Sequence, residues 1–429
     1  MKKKVILFFN LALVITLVLT ACGSKTDENV LRVWITWGDN PQQIQELFNG
    51  FTEQTGIRVE VTAPVETDKL MTALTSSQPP DILVLSGGDL VKSYYSQNLV
   101  EPLNSWIDSA GINMDDIYTA PADQCLYQGE YLCLPWGTDI YALYWNKTLF
   151  AEAGLDPEMP PQTMEELVAY ADQLTKYDQD GNLTQVGFIP DFSWSHTDLY
   201  VSMLGGFWYN PDGTELTLNS QPMVDSLLWQ QQFYENVGYE KMLNFIATLG
   251  DYSSSEHGFI SERVAMMVEG EWFTGPNFIG AFGPDLNYGI AAFPPPADHP
   301  ERAGTVVVQG TVALIPANAT NKSASAQLLA WMLSPSVVAE EMYANYNLPT
   351  SRTAAQDPRF TSDPFFSVFI DLMGGANATY VTTTAISITV DDERGSIEEQ
   401  VLHTGADPQT LLDDAQSRLS PLLQQALTP

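Results

Sequence analysis

The sequence predicts an α/β fold built around an open, mostly parallel sheet. The first observation is that short apolar strands alternate with amphipathic helices near the start of the chain. The second is the apolar run at 81–85 (DILVL), which is typical of a strand buried on both faces of a parallel sheet. The third is length, because 429 residues suffice for two domains at roughly 100–200 residues each.

The elements of this pattern are separated by clear boundary signals. Pro41 can occupy the first turn of a helix, and Ile44, Phe48 and Phe51 then recur at helical spacing until Gly56. The predicted order is strand 31–35, helix from Pro41, strand 57–61, helix 69–76 and strand 81–85.

The first 21 residues indicate a targeting segment. Three lysines precede an apolar run at 5–20, which is a little shorter than the roughly 20 residues of a bilayer-spanning helix. The stretch LTAC at 19–22 resembles the bacterial lipobox, which implies cleavage before Cys22 and lipid on its sulfur. The alternative is an uncleaved anchor with a chance cysteine. Residues 23–29 are small and polar, and we expect a flexible tether at 22–30.

The formal charge of −35 excludes two classes of electrostatic partner. Nucleic acid and anionic lipid surfaces are both negatively charged, so we expect neither to bind. The sign of the charge does not identify a ligand.

Cys125 and Cys133 flank a predicted hairpin with a turn at 128–130. A three-residue turn would place the two cysteines opposite each other, and a disulfide is plausible outside the cytoplasm. Two free thiols are the alternative, because bridging depends on strand register. The cysteines and scattered histidines lack the spacing of a metal site, and we predict no metal or cofactor.

Ligands of open α/β sheets bind beyond the carboxyl ends of the strands. That rule indicates the loop after the first strand, with Trp37, Gly38 and Asp39, and the loop after the third strand, with Ser86 and Asp89.

Several segments along the chain resemble one known family in their order and spacing. They are QGEYLCLP at 128–135, YALYWNKTLFAEAGL at 141–155, RVAMMVEGEW at 263–272, GIAAFP at 289–294 and NLPTSR at 347–352. Together they resemble the extracellular solute-binding proteins of ABC importers, above all the group with maltodextrin-binding and other sugar-binding lipoproteins. The resemblance covers nearly the whole chain after residue 30.

The resemblance implies a two-lobe periplasmic-binding-protein-like fold whose hinge the chain crosses several times. It places residues 31–137 and 304–346 in lobe 1, and residues 138–303 and 347–429 in lobe 2. The lobes of such a protein close around a solute by a hinge motion.

A sugar site needs flat aromatic side chains for the C–H faces and polar groups for the hydroxyls. The resemblance implies a ligand-facing Trp272, with a core position as the alternative; Trp37 has the alternative of packing beside Trp34. The full set of candidate ligand-binding residues is Trp37, Gly38, Asp39, Ser86, Asp89, Trp136, Asp139, Trp194, Trp208, Glu271, Trp272, Gln309 and Tyr343.

The function implied by this resemblance is capture of an extracellular mono- or oligosaccharide for delivery to a membrane permease. We expect a monomeric, non-enzymatic protein held at the outer side of the cell membrane by lipid on Cys22. Two alternatives are an extracellular glycoside hydrolase, which needs two carboxylates roughly 5–9.5 Å apart, and a sensory binding protein. The sequence does not identify the solute, although few basic residues near the proposed loops argue against an anionic one.

Overall fold

The computed structural model describes residues 29–38 and 41–428. The leader, the predicted lipidation site Cys22 and the predicted ligand residue Asp39 lie outside this part of the chain. Within the described ranges, the structure contains no helix with the length and apolar character needed to cross a bilayer.

Strands and helices alternate along most of the chain. The strands are β1 (Val30–Ile35), β2 (Arg58–Thr62), β3 (Ile82–Leu85), β4 (Leu126–Tyr127), β5 (Glu130–Tyr131), β6 (Leu134–Pro135), β7 (Gly137–Thr138), β8 (Tyr141–Asn146), β9 (Lys176–Tyr177), β10 (Leu183–Phe188), β11 (Val264–Gly270), β12 (Tyr288–Ala291), β13 (Val306–Val308), β14 (Val312–Leu314), β15 (Leu348–Pro349) and β16 (Ala378–Tyr380). The helices are α1 (Pro41–Thr55), α2 (Leu70–Thr75), α3 (Val91–Ser96), α4 (Asn104–Ala110), α5 (Thr119–Gln124), α6 (Lys147–Glu152), α7 (Met164–Leu174), α8 (Thr197–Met203), α9 (Gln221–Val237), α10 (Tyr239–Ile246), α11 (Ile279–Phe282), α12 (Lys322–Met332), α13 (Pro335–Asn345), α14 (Pro358–Thr361), α15 (Phe366–Met373), α16 (Ser387–Thr404) and α17 (Pro408–Leu427).

The predicted elements at the start of the chain are present, with ends displaced by no more than a single residue. Helix α1 buries Ile44, Phe48 and Phe51, the residues whose spacing predicts it. It ends before Gly56, whose φ of 76° is a left-handed conformation that glycine adopts without steric cost.

The first sheet has the strand order β2-β1-β3-β14-β6. Strand β1 pairs in parallel with both β2 and β3, as the alternating pattern predicts. Strand β14 is antiparallel to both β3 and β6, so this sheet is mixed rather than mostly parallel. The difference arises because β14 returns to the sheet from a distant part of the chain, without the crossover helix that enforces a parallel pair.

The second sheet has the order β12-β8-β11-β10-β9. Only β10 and β11 pair in parallel; β8 is antiparallel to β11 and to β12, and β9 is antiparallel to β10. Strand β11 is buried along its full length, which places this sheet at the centre of a second core. The two sheets give the molecule the expected two-lobe α/β architecture.

Three stretches of chain run side by side between the two sheets. Strand β7 pairs antiparallel with β15, and Asp139 exchanges backbone hydrogen bonds with Gln309 (N···O 2.5 and 3.0 Å). The Asn347 side-chain amide donates to Asp139 Oδ1 at 2.6 Å. These bonds form the multi-crossing hinge that the resemblance implies.

Strand β13 lies in a different position from the one expected for a lobe 1 segment beginning at residue 304. It pairs in parallel with β16 and contacts β8 and α8, which belong with the second sheet. The returning chain reaches the first sheet only at β14, after the backbone bridge at Gln309.

The hairpin predicted around residue 128 is formed by β4 and β5, and its cysteines are bridged. Tyr127 pairs with Glu130, so the turn contains two residues rather than the three expected. Both Gln128 and Gly129 have positive φ, which matches the twist of a two-residue hairpin. The Cα atoms of Cys125 and Cys133 are 5.1 Å apart and the side chains form a disulfide.

Candidate functional site

The carboxyl ends of β1 and β3 form one wall of a cavity between the two sheets. The Thr36 backbone N–H donates to Val84 O, and the Thr36 hydroxyl accepts from the Ser86 backbone N–H, each at 3.0 Å. These bonds hold the two strand ends together. The loop that follows β3 exposes Ser86 and Asp89 on the cavity side.

The opposite wall consists of helices α8 and α16. Helix α8 contributes Asp198, and α16 contributes Asp391 and Arg394, which lie one helical turn apart. The two walls are therefore separate in sequence and belong to elements of different sheets.

Between these walls lies a cavity of about 250 Å³, which adjoins a second space of about 210 Å³. Ser86, Gly87, Asp89 and Asp391 line both, and we call them together the central cavity. Its lining residues are Thr36, Thr67, Leu85, Ser86, Gly87, Gly88, Asp89, Leu90, Gln124, Asp198, Val308, Gln309, Val381, Thr383, Ile388, Asp391, Asp392 and Arg394.

Arg394 is surrounded by carboxylates. Its Nη1 lies 3.1 and 3.0 Å from the two carboxylate oxygens of Asp198 and 3.8 Å from Asp391 Oδ1, while its Nε lies 3.7 Å from Glu398 Oε1. The guanidinium carbon also lies 5.4 Å from the ring centroid of Trp208. Trp208 in turn donates its indole N–H to Asp198. The arginine thus holds the two helices of this wall together.

The environment of these acids raises their pKa values. Burial raises the pKa of Asp391 to about 7 and that of Glu398 to about 6, although Arg394 opposes both shifts. Asp89 is reached by solvent from the cavity but is enclosed by protein, which raises its pKa, and the charge of Asp198 adds to the effect. Several carboxyl groups thus surround one cation, Arg394, whose charge is too small to balance them all.

Tyr141, Trp194, Tyr252 and Trp272 form what we call the aromatic group. The Trp272 indole N–H donates to Tyr252 Oη at 2.8 Å, and the ring centroids of Trp194 and Tyr252 are 4.8 Å apart. Tyr141 lies 5.8 Å from Trp272 and 4.7 Å from His196, the residue directly before α8. Trp194 and Trp272 are only half-buried. Their rings are the kind of flat surface that can stack on a sugar.

Asp139 and Glu271 form a buried acid pair beside the hinge. Glu271 is fully buried, and its Oε2 accepts the Ile140 backbone N–H at 3.4 Å. Burial raises the pKa of both, and the charge of Asp139 adds to the rise at Glu271. The pair lies where the turn that follows β11 of the second sheet meets the hinge crossing at Asp139.

The structure places these predicted site residues in four kinds of position. Ser86, Asp89 and Gln309 line the central cavity. Trp194 and Trp272 belong to the aromatic group, while Asp139 and Glu271 form the acid pair. Trp37 is half-buried with its ring centroid 6.3 Å from that of Trp136, and Gly38 packs beside Ala63.

Three of the predictions differ from the structure. Trp136 is completely buried in the core between Trp37 and Phe48, because it follows a strand of the first sheet directly. Trp208 is also buried, where it supports Arg394 rather than facing a ligand. Tyr343 lies on the outer surface, stacked on Tyr346 at 5.9 Å and outside the cavity lining.

Several polar residues of the cavity were not predicted from the sequence, among them Gln124, Thr383, Asp391 and Arg394. Asp391 and Arg394 lie within the charged run DDERG, which reads as a solvated helix face. The one available signal is that Arg394 is an isolated cation among acids. Only the packing of α16 against α9 and α17 brings this face to the cavity.

Residues 37–339 match the family described as bacterial extracellular solute-binding protein. The maltotriose-binding protein of Pyrococcus abyssi is 22% identical over 305 residues, which are 69% of this chain and 60% of that protein. The sn-glycerol-3-phosphate-binding periplasmic protein UgpB of Salmonella typhimurium is 37% identical over 79 residues, which are 18% of each chain. The chain thus aligns with less than two thirds of the length of these relatives.

Among solved structures, mannotriose-bound CpMnBP1 is similar over most of its length. The TM-score is 0.80 at 22% identity, with 90% of this chain and 99% of that chain covered. At this identity the likeness shows a shared fold. The family match, by contrast, spans both sheets and the hinge crossings at β7 and Gln309. On that evidence, this chain belongs to the bacterial extracellular solute-binding protein family.

Proposed function

We propose that this protein is the substrate-binding component of an ABC importer that captures a mono- or oligosaccharide. The observation that carries the proposal is the central cavity, whose polar lining comes from both lobes. Asp89 is on one wall, and Asp198 and Arg394 are on the other. A solute between these walls is contacted fully only when the lobes are close together, so binding favours the closed arrangement.

The chemistry of the site supports a saccharide. Sugar hydroxyls need many donors and acceptors, and carboxylate, amide and hydroxyl groups line the cavity. The half-buried rings of Trp194 and Trp272 adjoin the α8 wall through Tyr141 and His196. The names of the maltotriose-binding relative and of the mannotriose-bound structure are consistent with this ligand class.

The proposed lobes follow the two sheets. Lobe 1 comprises residues 31–137 and 304–346, and lobe 2 comprises residues 138–303 and 347–429, with β13 packed on lobe 2. Closure then consists of a rotation about the paired crossings at β7, Gln309 and β15. The solute is released unchanged to a membrane permease.

We further propose that the protein acts as a monomer tethered through lipid on Cys22 to the outer side of the cell membrane. A fatty chain on a flexible segment keeps the two lobes close to the permease while leaving them free to close. Labelling with a radioactive or clickable fatty acid tests the tether, because Cys22→Ala abolishes incorporation if the proposal is right.

A thermal-shift and calorimetric screen tests the binding function. Mannotriose, maltotriose and smaller sugars are added separately, and a ligand raises the melting temperature in proportion to the logarithm of its concentration above Kd. Asp89→Ala should weaken binding of any sugar that scores, whereas Asp298→Ala, at an exposed surface site, should not. If no saccharide binds, the proposed function is wrong.

Turnover separates this proposal from a glycoside hydrolase. Candidate oligosaccharides are incubated with the protein and resolved by chromatography. A binding protein returns them intact, whereas multiple shortened products per protein molecule would indicate hydrolysis.

A further inference from the structure

We infer that the solute of the central cavity carries a positively charged amino group, as an amino sugar or aminocyclitol does. This inference rests on the proposed function of the cavity and makes its substrate class narrower.

The lining of the cavity contains more acidic groups than basic ones. Four carboxylates face it, those of Asp89, Asp198, Asp391 and Asp392, against the single guanidinium of Arg394 among the described lining residues. They come from three separate elements: the loop after β3, helix α8 and helix α16. Such an excess is costly in an enclosed space, because like charges interact more strongly there than in water.

Arg394 is already engaged with Asp198 and Asp391, so its one charge compensates only part of this surplus. Its Nη1 contacts both oxygens of Asp198, and its Nε faces the buried Glu398. The guanidinium group also packs against the ring of Trp208, which helps to hold it in place. An anionic solute would have to displace these partners, whereas a cationic solute would leave them in place.

Two buried polar groups provide the second observation. The Thr383 hydroxyl lines the cavity, is 7% exposed and has no hydrogen-bond partner among the residues that the structure describes. The Gln124 amide nitrogen, also at the lining, is likewise buried and unpartnered. Buried polar groups are normally hydrogen-bonded, so both indicate a ligand.

The two groups require complementary ligand chemistry. The Thr383 oxygen can accept from an ammonium, which has three donors and no acceptor. The Gln124 amide needs an acceptor, which a sugar hydroxyl or ring oxygen supplies. A molecule with both an ammonium and hydroxyl groups satisfies both, while a simple metal cation or an alkylamine satisfies only part of the set.

Matched ligand pairs test the inference. 6-Amino-6-deoxyglucose and glucosamine are compared by calorimetry with glucose, which has a neutral hydroxyl of similar size in place of the ammonium, and with their own N-acetyl derivatives, which lack the charge but are larger. Charge-assisted hydrogen bonds lead us to expect at least about tenfold tighter binding of the amines. The preference should shrink at high salt, since a cation–carboxylate attraction is screened.

Variants connect the preference to the cavity. Asp89→Asn and Asp391→Asn should each reduce the ratio of amine to neutral-sugar affinity by at least about threefold while leaving neutral-sugar binding less affected. Asp298→Asn, on the exposed surface, serves as the matched control and should leave the ratio unchanged.

The outcomes distinguish this inference from the proposed function. Equal or tighter binding of neutral sugars overturns the inference and leaves saccharide binding intact. Stabilisation by calcium alone, or by sn-glycerol 3-phosphate in preference to the amines, also overturns it. If neither charged nor neutral sugars bind, the proposed function fails as well.

Discussion

Glu269 is a fully buried carboxyl group that should make the stability of this protein depend on pH. Its Oε1 accepts the Gly270 backbone N–H at 2.8 Å, but burial dominates and raises its pKa from 4.5 to about 8. The folded state therefore binds this proton more tightly than the unfolded state does. The resulting stability is fully present below about pH 4.5 and is lost as the pH rises through 8.

We predict that Glu269→Gln removes this part of the pH dependence. The amide keeps the shape and hydrogen-bonding capacity of the protonated acid but does not titrate. Between pH 5 and 8, the wild type should lose up to about 1.4 kcal/mol of unfolding free energy per pH unit through Glu269, and the variant should not. Urea unfolding at several pH values measures the difference, with the exposed Glu215→Gln as control. Equal slopes for wild type and Glu269→Gln would contradict the prediction.

Arg394 should be essential for folding stability as well as for the cavity. Arg394→Met removes the cation but keeps much of the apolar stem, leaving Asp198 and Glu398 with side-chain exposures of only 12% and 8%. Removing one partner of a buried pair typically costs about 3–5 kcal/mol.

The loss of unfolding free energy caused by Arg394→Met should be smaller at pH 5 than at pH 8. The pKa of Glu398 is already about 6 and that of Asp391 about 7, and removal of the cation raises both further. Protonation at pH 5 neutralises them and relieves the defect. Chemical unfolding at pH 5 and 8 tests this, and a defect of equal size at both values would show that lost packing, not charge, is responsible.

A site residue could be predicted from the sequence only where a rule about its neighbouring residues applied to it. Ser86 and Asp89 follow a buried parallel strand, so the strand-end rule places them at the site. Arg394 lies within a helix some 300 residues later, and no local pattern relates it to that loop. Trp136 shows the reverse difficulty, since a tryptophan beside the hinge has the same sequence signature whether it faces a ligand or the core.

The hairpin of β4 and β5 is the element most dependent on a covalent link. Its strands contain only two residues each, and Cys125 and Cys133 close the segment with a sequence separation of 8. The chain-entropy model gives about 2–3 kcal/mol for a loop of this size. Both cysteines are buried beside Leu83 and Leu85 of the first sheet core.

We predict that reduction of this disulfide lowers the melting temperature without abolishing ligand binding. The hairpin stabilises the lobe but contributes none of the residues that line the central cavity. The nearest lining residue is Gln124, which directly precedes Cys125. Differential scanning calorimetry with and without reductant measures the shift in wild type. A Cys125→Ala/Cys133→Ala protein should have the lower melting temperature already and should not respond to reductant. A reductant effect of equal size in that variant would contradict the assignment.

The elements were predictable where hydrophobic period and turn residues agreed. In α1, the spacing of Ile44, Phe48 and Phe51 and the stop at Gly56 identified both the buried face and the end of the helix. The turn after Tyr127 was predicted one residue too long, because Gln128 adopts a positive φ that glutamine rarely shows. Strand pairings such as β13 with β16 are non-local, and a sequence pattern alone does not specify them.

The molecule as a whole depends on how the two lobes are joined. The backbone bridge between Asp139 and Gln309 and the pairing of β7 with β15 hold the crossings together, so a rotation must be shared among them. Gly310 lies close against the neighbouring crossing: a Cβ there would be 2.6 Å from Gly137 O and 2.8 Å from Thr138 Cα. Those are backbone atoms of the neighbouring crossing, which cannot move aside as a flexible side chain can.

We therefore predict that Gly310→Ala impairs lobe closure. The added methyl forces the crossings apart and changes the relative orientation of the lobes, so that ligand affinity should fall at least about tenfold, while overpacking should cost about 1–3 kcal/mol of stability. Small-angle scattering measures closure directly. The radius of gyration of wild type should decrease when the best saccharide of the screen is saturating, and that of Gly310→Ala should decrease less. Gly395→Ala, whose Cβ meets nothing within 4 Å, is the matched control and should close normally. Unchanged compaction and affinity in Gly310→Ala would mean that the crossings are not the axis of closure.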